Sequence, residues 1–318
     1  MKKRILVFVF TCVVLIIFSH SHLYKYNFTS PKSFFSFKVD TEDSSILGSK
    51  AKVEFIQEAD ADFETLGEDS SSFYYDQLTS GQKEIYEQLL NKCRLRESKL
   101  QFKKAVADTD IQISMSALQY DHPEYFWLET YRTDAVNGTV RNLKFIVPKD
   151  IDEVSKRINI VVKEIIDGIP KNATEYERFK YLYEWICNNL TYSENENDQN
   201  IRSAFLDHKT VCAGYAKALK YLCKKAGIYC LYVTGYGDES QILHAWNMVR
   251  IDGKMYWSDP TWGDCDDSVQ SINTAYFLAS DNNLVEQKHE VLTGNIYAEG
   301  ERLLFNYPKC NTMIIQVQ

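Results

Sequence analysis

A chain of 318 residues with 45% hydrophobic and 14% aromatic side chains can bury a sizeable core, as one globular unit or two small lobes with appendages. The formal net charge of −8 and the lack of a basic patch argue against nucleic acid as a partner. Ten acidic residues between Asp40 and Asp69, set against Lys50 and Lys52, account for that whole charge and leave the rest formally neutral.

Lys2, Lys3 and Arg4 precede an apolar run from Ile5 to Phe18, so residues 1–21 read as an export segment. The run is shorter than the ~20 residues of a spanning helix, and cleavage or retention as an anchor stays open. The rest of the chain is therefore expected outside the cell, secreted or membrane-anchored, touching membrane only through this segment. Residues 22–72 have the low hydrophobicity and like charge of an acidic flexible spacer.

Residues 73–150 read as a small mixed α/β lobe. A helix over 82–95, capped near Ser80, buries Ile85, Leu89 and Leu90; a second over 110–120 ends before His122-Pro123. Tyr125–Tyr131 and Val140–Val147 alternate as strands around Asn137-Gly138, a hairpin signal. His122 reads as structural, and Tyr125, Phe126 and Trp127 as packing.

Residues 151–318 read as the main core. Ile151–Ile169 and Thr174–Leu190 are amphipathic helices, the second opened by a capping box of Thr174 and Glu177. Cys187 lies on its apolar stripe with Tyr183 and Ile186. Tyr192 follows, then a polar loop over 193–200.

A further helix starts at Cys212, with Thr210 as N-cap, Ala216, Leu219, Leu222 and Cys223 at helical spacing, and Gly227 as its stop. A thiol in a first helical turn meets unpaired N–H groups and the positive end of the dipole, which favour the nucleophilic thiolate. Gly214 there costs roughly 1 kcal/mol of helix propensity, which points to a close approach. Tyr229–Thr234 reads as a buried strand, with Gly235-Tyr236-Gly237 turning out of it.

Leu243–Ile251 and Lys254–Asp259 form a hairpin around Asp252-Gly253. A two-residue turn puts Ile251 opposite Lys254, so His244 and Asp259 share one face as diagonal neighbours about 7–8 Å apart, a gap two polar side chains can close. An Asp on one imidazole nitrogen leaves the other free to take a thiol proton. Cys212, His244 and Asp259 are thus a candidate nucleophile, base and orienter. No Cys-x-x-Cys or His-x-x-x-His pair supports a zinc site, and no metal or cofactor is expected.

Tyr276–Leu278, Leu303–Phe305 and Thr312–Val317 read as closing elements, and His289 has no arguable partner. Setting aside Cys12 and Cys212, the cysteines at 93, 187, 223, 230, 265 and 310 show no disulfide framework.

VCAGYAKALKYLCKKAGI and HAWNMVRIDGKMYWSDPTW resemble the transglutaminase-like superfamily, in particular its bacterial secreted or membrane-linked members. The resemblance covers roughly residues 170–280, and DHPEYFWL resembles the region before the core in bacterial relatives. It implies an α+β, papain-like fold, a Cys-bearing helix packed on an antiparallel sheet, with Cys212, His244 and Asp259 as the triad. In relatives an aromatic at the place of Tyr192 lies near the cleft. Tyr192, Gly214, Tyr215, Trp246 and Trp262 are therefore candidates for substrate or oxyanion contacts. The implied reaction is thioacyl formation on a Gln side chain or peptide amide of an extracellular or cell-surface protein or peptide, then transfer to an amine or water. A cysteine peptidase or amidase on cell-surface peptides, and a binding or scaffold module without turnover, remain alternatives.

Overall fold

The structure, a computed structural model, describes residues 24–27, 70–237, 243–264, 272–291, 295–296, 302–303 and 305–310. The export segment, most of the acidic spacer, Cys265 and the strand expected over 312–317 lie outside the described residues.

Strand β1 (Tyr24–Asn27) and a 3-10 turn at Ser70–Ser72 precede α1 (Phe73–Asp76), α2 (Ser80–Leu95), β2 (Lys99–Ala107) and α3 (Asp108–Asp121). Thr79 opens α2, its hydroxyl accepting from Gln82 N while Gln82 bonds back to Thr79 N. Next, β3 (Tyr131–Val136) and β4 (Thr139–Phe145) pair across Asn137 (φ 50) and Gly138 (φ 70), the left-handed pair that a tight hairpin turn requires. The strand expected from Tyr125 begins only at Tyr131. Before it the chain turns twice, Tyr125 N on His122 O and Leu128 N on Tyr125 O. Phe126, Trp127 and Leu128 are all buried, and consecutive burial of this kind suits a turn better than a strand with one solvated face. The first sheet has the antiparallel order β1-β3-β4-β2.

Helices α4 (Ile151–Asp167) and α5 (Glu175–Asn189) follow, the latter opened by the Thr174–Glu177 capping box. Then come β5 (Thr191–Tyr192), a π-helical turn at Ser203–Asp207, β6 (Lys209–Thr210), α6 (Cys212–Ala226), β7 (Cys230–Tyr236), β8 (Leu243–Ile251), β9 (Lys254–Ser258) and α7 (Pro260–Gly263). A 3-10 turn at Thr274–Tyr276, α8 (Asp281–Glu286), β10 (Glu290–Val291), β11 (Asn295–Ile296) and β12 (Arg302–Leu303) complete the described elements. The second sheet is antiparallel in the order β10-β7-β8-β9. Helix α6 packs on β7 and β8, and α3 also reaches β7. Cys230 to Thr234 are all buried, so both faces of this central strand are covered.

One expectation is corrected here. Gly235 and Tyr236 do not turn the chain; they extend β7, with Gly235 opposite His244. The missing side chain is what β10 needs, because a Cβ on Gly235 would lie 2.1 Å from Glu290 O and 2.4 Å from the Trp246 ring. Around residues 276–278, where a strand or short helix closing the sheet is expected, a 3-10 turn forms at Thr274–Tyr276. A single bridge between Trp257 and Ala279 covers the outer edge of β9.

One continuous apolar cluster runs from Phe73 to Cys310. A buried polar tie joins α1 to α6 within it. Asp121 accepts from Tyr74 N, Tyr75 N and the Tyr86 hydroxyl, and Lys220 of α6 reaches Ser70 O at 3.3 Å. Burial raises Asp121 to about 7, against the pull of Lys220 and these donors. Cys93, Cys187, Cys212, Cys223, Cys230 and Cys310 are buried free thiols.

Gly214, in the first turn of α6, is the tight point of the core. A Cβ there would sit 1.7 Å from Thr210 Oγ1 and 3.0 Å from Asp198 O. Thr210 cannot yield, since its hydroxyl donates to Asp198 O and accepts from Ser203 Oγ. Gly214→Ala should therefore lower stability by about 1–3 kcal/mol, overpacking outweighing the roughly 1 kcal/mol gained in helix propensity. A rise in thermal midpoint on this substitution would refute the packing argument.

Candidate active site

Cys212 is the first residue of α6, but Thr210 is not its cap. Val211 holds the N-cap position in extended conformation without a side-chain bond, and Thr210 is spent on the loop before it. The orphan N–H groups of the first turn thus have no side-chain cap. A two-residue parallel pairing of β5 with β6 sets Tyr192 opposite Thr210, just ahead of Cys212.

The β8–β9 hairpin has the register expected from its turn. Ile251 faces Lys254, and the pairing runs to Asn247 opposite Ser258, with Asp252 (φ 49) and Gly253 (φ 77) in the left-handed region. Asp259 then leaves the ladder. Its N–H bonds to Tyr276 O, and its carboxylate caps α7, Oδ1 accepting from Thr261 N at 2.9 Å and Trp262 N at 3.2 Å. Oδ2 remains for His244, whose Nε2 lies 2.6 Å away.

With Nε2 held by Asp259, Nδ1 is the ring nitrogen left for Cys212, whose sulfur raises the pKa of both the His244 ring and the Tyr192 hydroxyl. All three residues of the proposed set are buried: Cys212 is 3%, His244 6% and Asp259 4% exposed. Burial pulls the His244 pKa down, but the charge and hydrogen bond of Asp259, followed by Cys212, outweigh it and raise it to about 10. Burial likewise pushes Asp259 up, and the two histidines beside it overcome this and hold it well below the usual carboxylate range.

The second of those histidines had no partner legible in the sequence. His289 Nε2 lies 2.9 Å from Asp259 Oδ2, and its Nδ1 is 3.2 Å from Gln287 O. His244, Asp259 and His289 present their nitrogens and oxygen within 4.8 Å of one another, donors of the kind zinc accepts. Here those atoms bond to each other.

The other candidates separate into two groups. Tyr192, 57% exposed, and the half-buried Trp262, whose ring centroid is 5.3 Å from that of His244, lie on the solvent side. Burial and then the Cys212 sulfur raise the Tyr192 hydroxyl pKa. Trp246 is fully buried and stacks on His244 at 5.7 Å, so it supports the ring and offers no surface to a substrate. Gly214 is filled by Thr210, and Tyr215 is buried with its hydroxyl donating to Asp264 Oδ2 at 2.5 Å. Both serve packing.

A cysteine-led helix laid on an antiparallel sheet that carries a histidine and a carboxylate is the α+β, papain-like arrangement. Residues 163–260 match the model of the Transglutaminase-like superfamily, the superfamily that the sequence motifs resemble. It is similar to the kyphoscoliosis peptidases of Homo sapiens (30% identical over 117 residues, 31% of this chain and 18% of the relative) and Mus musculus (29% over 119 residues, 32% and 18%). The chain spans about a fifth of the length of these curated relatives. A crystal structure of a TGase covers 54% of this chain and 52% of its own, at 15% identity and a TM-score of 0.31. The match over residues 163–260 supports thiol-dependent chemistry in general.

Proposed function

We propose that this chain is a thiol-dependent acyltransferase or hydrolase acting on an amide, with Cys212 as nucleophile, His244 as general base and acid, and Asp259 as orienter. The observation that carries this reading is the 2.6 Å bond from His244 Nε2 to Asp259 Oδ2, which leaves Nδ1 for the buried Cys212 at the start of α6. A ring held protonated beside a thiol favours thiolate, and the same ring holds the proton a leaving amine requires.

In the first step Sγ bonds to the amide carbonyl carbon, the C–N bond breaks, and the leaving nitrogen takes the proton from His244. In the second, an amine or water attacks the thioester, gives its proton to His244, and the thiol is restored. The Cys212 N–H at the helix start and the Tyr192 hydroxyl are the donors suited to the developing oxyanion, each worth roughly 3 kcal/mol in such sites. Substrate must displace Tyr192 from the sulfur to be attacked.

The substrates suited to this site are Gln side chains or peptide bonds of extracellular or surface proteins. The basic start and apolar run of residues 2–18 support an export route for the chain. Incubation with a Gln peptide and a primary amine, read by mass, tests the reaction. Ammonia loss with amine gain supports transfer, and ammonia loss with water gain supports amidase action. Backbone cleavage supports the second reading, a peptidase, favoured by the likeness to the kyphoscoliosis peptidases. Alkylation of Cys212 no faster than a free thiol near pH 7 would instead favour a binding module.

A further inference from the structure

We infer that His289 is a positioning residue of this site, a fourth member that fixes the Asp259 carboxylate and shares its charge with His244; the inference rests on the triad reading above. Its ring has no side-chain exposure and is walled by Trp262 at 4.5 Å, Trp246 at 5.0 Å, His244 at 5.5 Å and Tyr276 at 5.9 Å between centroids. An imidazole enclosed in this way is not a solvated surface group. Its only polar neighbours among these contacts are the two acceptors already named.

The acceptors define what the ring does. Asp259 Oδ1 is filled by the two α7 amides, so Oδ2 alone serves the histidines, and it accepts from His244 and His289 together. A carboxylate held at all four positions cannot rotate away from His244. A carbonyl accepts and does not donate, so the bond to Gln287 O is made by an N–H on Nδ1, and the bond to Asp259 by an N–H on Nε2. The ring is thereby fixed at both nitrogens, between Gln287 O and Asp259 Oδ2. Asp259 then accepts from two rings and stabilises the His244 imidazolium less than it would alone, which eases release of the Nδ1 proton to a leaving amine.

The fold brings this histidine in from the far edge of the sheet. β10 pairs with β7 at Glu290 opposite Tyr236 and Val291 opposite Gly235, and Lys288 at φ 59 turns the chain into that pairing. The charged and titratable groups packed on His289 are Asp259, His244 and the Tyr276 ring, so no other ionisable group among these contacts explains an altered pH response.

The test uses the full chain and the iodoacetamide alkylation rate of Cys212 from pH 5 to 10, which needs no substrate. Wild type, His244→Ala, His289→Leu and His289→Gln are compared, with thermal melts of each. His289→Leu should change the alkylation pH profile and lower amide turnover roughly ten- to hundredfold in kcat with little change in KM. His289→Gln, which keeps a donor to Oδ2, should regain most of kcat but keep an altered profile, because an amide cannot hold Oδ2 and Gln287 O at the two ring-nitrogen positions together. If His289→Leu keeps both profile and kcat within about twofold, or if both variants lose only melting temperature, His289 is structural and the inference fails. If wild-type Cys212 is alkylated no faster than a free thiol, or His244→Ala leaves the rate unchanged, the triad reading falls first and takes this one with it.

Discussion

Cys212→Ala should reduce amide turnover to background, a loss on the order of 10⁵- to 10⁶-fold by analogy with removal of the nucleophile from a serine triad. Among the described residues no other thiol can substitute: Cys187, Cys223, Cys230 and Cys310 are buried elsewhere in the core, and burial pushes Cys93 up to about 12. The fold should survive, since only one buried sulfur is removed from a residue 3% exposed, at about 1 kcal/mol. The decisive pair of measurements is ammonia or peptide release together with a thermal melt. A folded variant retaining a tenth of wild-type turnover would exclude Cys212 as nucleophile.

Local signals carried the reading far where chemistry and geometry were both local. The Asp252-Gly253 turn fixed the register, and the register placed His244 and Asp259 on one face. The helix start at Cys212 was legible for a similar reason, from the spacing of Ala216, Leu219 and Leu222 and the stop at Gly227. What was not legible depended on contacts between distant segments. Thr210 looks like a cap in sequence, but Ser203 and Asp198 claim its hydroxyl. His289 reads as an isolated residue because its partner is reached only through the β10–β7 pairing, across a point that Gly235 leaves open. The one signal for it was Gly235 itself, a glycine in a buried strand, which marks a close backbone approach. Trp246 shares a face with His244 by alternation, as read, yet the sequence could not say that this face lies beneath the ring and not over the cleft.

Asp259→Asn should cost up to roughly 10⁴-fold in turnover, and the reason is a tautomer. Oδ1 is fixed by the Thr261 and Trp262 amides, so the new amide nitrogen must face His244 and His289, a donor set against two donors. His244 can answer only by presenting a bare Nε2 and moving its proton to Nδ1, where it can no longer accept the proton of Cys212. The same substitution should change how stability depends on pH. Asp259 is held below its usual range, so its contribution is present above the unfolded carboxylate pKa of about 4 and lost as pH falls through the lower folded value. His244 is raised from 6.5 to about 10, so its contribution is whole below 6.5 and lost as pH rises from there through about 10. The pair therefore stabilises most between about pH 4 and 6.5, by a few kcal/mol at about 1.4 kcal/mol per pKa unit. The gap in melting temperature between wild type and Asp259→Asn should be widest in that window and close steadily toward pH 10. A gap that stays constant from pH 6 to 10 would mean that His244 does not carry its proton against Asp259, and the acid role assigned to that ring would have to be withdrawn.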